Sequence, residues 1–395
     1  MDSSTCGFLI SEPVETSLTL KGGLRIACEN KNKFMPSMSS SFVKTDKRWT
    51  LRKYGGVASG VLGNDVVRVG GSDERQFIML NCLFGMATNL TSAFEETVFD
   101  GVLGLAFTAD NGSGSKPFIV EAINNGYLNQ AMFTVYLKPR QFKNGVRGGV
   151  ITYGSTDNSN CGSKVDYYNL SSTLFYQFKI NSISMGQTKH VGDYDVMQDF
   201  STFIMGPQPI VDQFAAIAGA KYNKDFRLYE IECSANFPSL DIAIGSSKYS
   251  INHDKLIVKR RNPDSGGTSF IILRFDTSRN IHIHADNTCI LALSFFGSSA
   301  TFGPQWYFGA PFIQEYCVTF DIGGKRLGFA DAHHRTVNTT SFPSRSTPVV
   351  LSNTTYRTTR HPQQDSTVSK RGSMTSVYVS FTLIIFLIVT GSSCM

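Results

Sequence analysis

The sequence predicts an all-β protein with a few short helices, and three observations carry that reading. Glycine is frequent, at 35 of 395 residues, beside 30 Phe and 15 Tyr, which suits pleated, half-buried strands joined by tight turns. Apolar runs up to about residue 331 are short and bounded by Gly, Asn, Asp and Ser. Helical periodicity is scarce. A hydrophobic content of 41% with only 17% charge specifies a packed core rather than a disordered chain.

Taken in chain order, "GVLGNDVVRVGG" (60–71) and "RGGVITYGS" (147–155) read as strands. "LDIAIGSSKYSI" (240–251) and "YCVTFDIGGKRLGFAD" (316–331) read as hairpins, with apolar runs flanking Gly-containing turns. Two helices stand out. "KPFIVEAINNGYL" (116–128) should stop near Gly126. "GPQPIVDQFAAIAGAKYN" (206–223) places Ile210, Phe214, Ile217 and Ala218 on one face, with Pro207 suited to opening the helix.

The net charge of +6 is modest and spread along the chain, with no basic stripe interleaved with aromatics, so nucleic acid is not an expected partner. The eight cysteines fit no zinc-finger spacing. Five N-x-S/T sequons, at Asn89, Asn111, Asn169, Asn338 and Asn353, add to the scattered cysteines in pointing to the secretory pathway. "MDSSTCGFLI" has no basic segment leading into an apolar core, so no export signal is recognisable there. In "NIHIHADNTC", His282, His284 and Asp286 alternate along one strand face. A solvated face is commoner there than a metal site, and no metal or other cofactor is expected.

Several collinear segments resemble the pepsin-like aspartic peptidases. "FDGVLGLAF" (99–107) resembles the first-lobe strand-turn segment of that family, and "YGGVASGVLGNDVVRVGG" (54–71) its flap hairpin. "FYQFKINSISMGQ" (175–187) is similar to the strands that open the second lobe, and "GPQWYFGAPFIQEYCVTFDIGGKRLGFA" (303–330) to the closing segment. The resemblance implies a bilobal β fold with a peptide cleft between lobes at 1–168 and 169–331, binding a peptide or protein and acting as a monomer. The fold is expected to be incomplete at its N-terminus, because the chain starts one residue before the first catalytic Asp. The resemblance also implies disulfides Cys233–Cys289 and Cys161–Cys317. It places Tyr54 and Gly55 at the flap over the substrate.

The family chemistry needs one Asp from each lobe, set in a hydrophobic-Asp-Thr-Gly loop. Two close carboxylates cannot both ionise, so one keeps a proton while the other activates water. Asp2, in "MDSS", stands at the first position. At the second, ungapped alignment of "VMQDFSTFIMGP" (196–207) puts Gln198 where the Asp belongs, and a one-residue deletion instead brings Asp199 into register. Gln cannot titrate. The expectation is therefore a family member that keeps the cleft and hydrolyses poorly, with an active acid endopeptidase as the alternative.

Beyond the lobes, residues 332–375 are rich in Ser, Thr and Pro and read as a stalk. The apolar segment at 376–391 is expected to attach the chain to a membrane, as a short span or as a lipid-anchor signal. That would hold the lobes on the lumenal or extracellular side.

Overall fold

The computed structural model describes residues 7–10, 32–53, 56–70, 77–94, 100–105, 117–139, 148–172, 174–259, 288–295 and 304–333. Strands dominate, in four sheets of five, seven, four and five strands among the described residues. The first-lobe sheet is built on the strands Val43–Lys53, Gly56–Val69 and Phe77–Leu90, antiparallel neighbours in sequence order. The seven-stranded sheet carries the second lobe and contains both Thr188–Gln198 and Trp306–Phe308.

A further five-stranded sheet joins the two halves of the chain. Met132–Leu137, Gly149–Tyr153 and Asp166–Asn169 share it with the final hairpin, Tyr316–Asp321 and Arg326–Asp331. At its centre the hydroxyls of Thr134 and Thr319 hydrogen-bond at 2.9 Å across 185 residues of sequence. Phe133 and Phe320 stack beside them, with ring centroids 4.6 Å apart. One continuous apolar cluster runs from Met79, Phe84 and Phe133 through Phe178 and Trp306 to Phe329.

The helices follow their capping signals. The first, Phe118–Asn124, ends just before Gly126, whose φ of +70° is the left-handed conformation that a helix stop commonly requires. The second, Gln208–Ala218, starts behind Pro207 and ends at Gly219, again left-handed at φ 79°. Its inward face corrects the sequence reading. Val211, Phe214, Ala215 and Ala218 are buried, an i, i+3, i+4, i+7 set, while Ile217 is among the exposed apolar side chains. Lys221–Asn223, read as part of that helix, is instead a strand paired with Leu228–Glu232.

Both implied disulfides are present, Cys161–Cys317 and Cys233–Cys289. Cys161–Cys317 ties the segment before Asp166–Asn169 to the final hairpin. Asn89 and Asn169 are exposed on strands, whereas Asn111, Asn338 and Asn353 lie outside the described residues. So do His282, His284, Asp286, the stalk and the apolar C-terminal segment. Among the described residues no helix is long and apolar enough to cross a membrane, and no cluster of His, Cys, Asp or Glu could hold a metal.

Candidate active site

The strand Thr188–Gln198 delivers the candidate loop. It pairs antiparallel with Gln177–Met185 on one side and parallel with Trp306–Phe308 on the other, with Gln198 beside Phe308. The chain then turns through Asp199–Phe203 and returns as Ile204–Gly206, antiparallel to the same Trp306–Phe308 strand. Trp306–Phe308 thus threads between the two arms of the loop. Close packing fixes the crossing. A Cβ on Gly309 would lie 2.1 Å from the Ser201 carbonyl oxygen and 2.5 Å from that of Phe203, so only glycine fits there. A Cβ on Gly206 would lie 2.2 Å from the indole of Trp306. The Ala310 N–H donates to Ser201 O at 2.7 Å and pins the turn from below.

Within this loop Gln198 and Asp199 do different things. Gln198 is fully buried, and its Nε2 donates to the carbonyl oxygens of Phe308 at 2.7 Å and Asp199 at 3.1 Å. Its Oε1 accepts no hydrogen bond from any described residue. Asp199 is 5% exposed, and its Oδ1 accepts the Ser201 N–H at 3.0 Å and the Ser201 hydroxyl at 2.8 Å. The amide two residues on therefore closes on the carboxylate, as the Gly of an Asp-Thr-Gly loop is expected to do. Phe200, where that loop has Thr, is buried and stacks on Phe320 at 5.5 Å. Burial pushes the Tyr307 phenol above its ordinary pKa, and the nearby Asp199 charge adds to the shift.

The same crossing recurs in the first half of the chain. Gly7–Ile10 runs parallel to Phe77–Leu90 and antiparallel to Gly101–Leu103. Its second-lobe counterpart, Ile204–Gly206, runs parallel to Leu293–Phe295 and antiparallel to Trp306–Phe308. Gly7 stands opposite Leu103 as Ile204 stands opposite Phe308, and both partners directly precede a glycine. Counting five residues back reaches Asp2 from Gly7 (7 − 5) and Asp199 from Ile204 (204 − 5). The two acidic residues are thus equally spaced in sequence from their crossings. Asp2, Tyr54 and Gly55 themselves lie outside the described residues.

Residues 18–332 match the family model for eukaryotic aspartyl protease. The chain belongs to the pepsin-like aspartic peptidase family. The family match begins after Asp2 and includes the Asp199 loop. Among curated relatives, aspartic protease 6 of Caenorhabditis elegans is 40% identical over 304 residues, 77% of this chain and 72% of that protein. Aspartic protease 2 of Necator americanus is 33% identical over 78% of this chain and 66% of its own length. Pepsin A of Rhinolophus ferrumequinum is 27% identical over 77% and 71%.

The sequence placed Ser201 in the loop and Phe308 on the segment beneath it, but not the hydrogen bonds they make there. Ser201 had a signal: a hydroxyl two residues after an Asp closes a short side-chain-to-backbone turn. The Phe308 carbonyl had none, since a backbone acceptor shared by Asp199 N at 3.0 Å and Gln198 Nε2 is set by strand pairing alone.

Proposed function

We propose that this aspartic peptidase family member binds an extended peptide in a cleft over Asp199 and hydrolyses it poorly. The observation that carries the reading is Phe200. A loop that brings a carboxylate to a shared-proton pair relies on hydroxyl and amide donors around it, and Phe200 turns an aromatic ring into the core instead. Two groups must also hold one proton between them, which requires that the second-lobe carboxylate be Asp199 and its first-lobe partner Asp2.

A second reading, an active acid endopeptidase, is favoured by the two bonds from Ser201 to Asp199 Oδ1. Under it the charged member of the pair acts as general base on water and the protonated member polarises the scissile carbonyl. Incubation with denatured haemoglobin between pH 3 and 6, with and without pepstatin, separates the two. Poor hydrolysis predicts pepstatin binding with negligible turnover. Robust pepstatin-sensitive turnover overturns it.

The setting proposed for this site is the lumen of the secretory pathway or the cell exterior. Two disulfides, the exposed sequons Asn89 and Asn169, the Ser/Thr/Pro-rich stalk and the apolar segment at 376–391 support it. Truncation after Ala332 should release the protein into the medium, and phospholipase C should release the full chain only if the anchor is a lipid. A full-length protein that stays unanchored removes the membrane part of the proposal.

A further inference from the structure

We propose that Gln198 is a positioning residue for Asp199, clamping the loop to the strand threaded beneath it and doing so only because its side chain is an amide. The proposal rests on reading Asp199 as the second-lobe carboxylate. Its basis is a set of contacts rather than a titration. Gln198 Nε2 sits between two carbonyl oxygens, those of Phe308 and Asp199, in a fully buried environment. Two acceptors facing one group demand a donor with two hydrogens, which a side-chain amide supplies and an ionised carboxylate cannot.

The clamp ties together three parts of the site. The Phe308 carbonyl accepts from both the Asp199 backbone N–H and the Gln198 amide, so one oxygen fixes the chain on both sides of the Asp199 peptide. The Asp199 carbonyl, held at 3.1 Å by the same amide, sets the peptide plane from which the next residue departs. Phe200, with no hydroxyl, gives the loop no side-chain hydrogen bond of its own. Ser201 holds Asp199 from the far side at 2.8 and 3.0 Å. Gln198 therefore provides, from before the Asp, a tether that the residue after it does not provide.

The cost of the arrangement is visible in the same side chain. Gln198 Oε1 is buried with no hydrogen bond from a described residue, which an apolar side chain at this position would avoid. A residue chosen only to fill space would be better as Met or Leu. The retained amide is explained by the two carbonyls it serves.

Three variants of the full chain test this. Gln198→Met removes the donors at nearly constant volume. Gln198→Glu keeps the shape but can donate only when protonated, and then only one bond. Burial opposite carbonyl oxygens raises the folded-state pKa of that new carboxyl above its unfolded value near 4.3. The protonated acid then holds one of the two carbonyls at pH 4. Stability is lost as pH rises above the unfolded pKa, about tenfold in the folding equilibrium per pH unit, until the folded pKa is reached.

Thermal midpoints from pH 4 to 8 should therefore fall steadily for Gln198→Glu relative to wild type, and stay lower by a constant amount for Gln198→Met. Parallel curves for wild type and Gln198→Glu would overturn the clamp. The positioning role is read by pepstatin affinity, with Ile242→Val in the second-lobe core as the stability control. Gln198→Met should weaken binding at pH 4 by about tenfold or more, and Ile242→Val should not. Gln198→Glu should restore only part of the affinity at pH 4, because the protonated acid serves one of the two carbonyls. Equal affinities for wild type and Gln198→Met reduce Gln198 to a packing residue and sink the positioning proposal. If wild type itself binds no pepstatin, the cleft reading fails, while the thermal curves still decide the clamp.

Discussion

The two loop crossings of this molecule share a backbone and differ in how they are filled. In the second lobe the threaded strand is Trp-Tyr-Phe, with Trp306 and Phe308 fully buried and Gly206 leaving room for the indole. In the first it is Gly-Val-Leu, and Gly101, Val102 and Leu103 are each only half-buried. The strand directions and the register repeat nonetheless. The crossing is thus a property of backbone pairing that tolerates very different side-chain volumes. What the side chains set is how firmly each crossing is held. Core aromatics contribute several kcal/mol where half-buried aliphatics contribute about one.

Truncation breaks the comparison most directly. Phe308→Ala should destabilise by about 3–5 kcal/mol, since Phe308 packs against Phe178 and Phe312 at 6.1 and 5.4 Å. Val102→Ala in the first crossing should cost about 1 kcal/mol. Urea titrations of both variants check this, and equal losses would show that the first crossing is as tightly filled as the second. Loss of the Cys161–Cys317 bridge, by the double Ala variant, should cost about 2–4 kcal/mol, because it closes 156 residues and both partners are buried. Its effect should appear as earlier loss of the shared sheet than of the second-lobe sheet in hydrogen exchange.

Overfilling sharpens the comparison from the other side. Gly206→Ala forces a methyl into the Trp306 indole and should cost about 1–3 kcal/mol, with a red shift and loss of near-UV signal from Trp306. An unchanged spectrum would mean the indole can move aside. The smallest expected effect lies at Asp241, away from either crossing. Burial alone would raise its pKa, but bonds from Lys248, Ser250 and Ser239 outweigh it and hold it below the usual value. A depressed folded pKa gives stability that is present above the unfolded pKa near 3.9 and lost as pH falls through the folded one. Because Asp241 is only partly buried, Asp241→Asn should cost under about 1 kcal/mol at pH 7 and less as pH falls through the folded pKa. Thermal midpoints at pH 7 and below the folded pKa measure it.

Much of the fold was legible because strands and turns leave local marks. The hairpins Leu240–Ile251 and Tyr316–Asp331 and the helix stop before Gly126 follow from alternation and glycine placement. The buried face of Gln208–Ala218 was misjudged because the apolar side chains Ile210, Val211, Phe214, Ala215, Ile217 and Ala218 compete for it. Packing against the sheet chose Val211 and Ala215 over Ile210 and Ile217, and sequence periodicity cannot see that neighbour. At the site, the sequence favoured the ungapped register, with Gln198 at the Asp position, and offered Asp199 as the alternative. What the sequence could not show is where the Gln198 amide finds its acceptors, one on the neighbouring Asp199 and one on Phe308, far along the chain. Ser201 was readable in principle, two residues from Asp199, whereas the backbone partners were not.

The sheet that joins the two halves has a consequence for biosynthesis. Its strand Met132–Leu137 must wait for Tyr316–Asp321 to be made, and Thr134 and Thr319 are separated by 185 residues. At translation rates of about 5–20 residues per second, that delay is roughly 10–40 seconds. Throughout it, one edge of the early strand has no native neighbour, and its buried Phe133 and Val135 have no final hairpin to pack on. That open edge is a site for wrong pairing during elongation. The protein's yield should depend on how long that edge stays open as much as on the stability of the finished molecule.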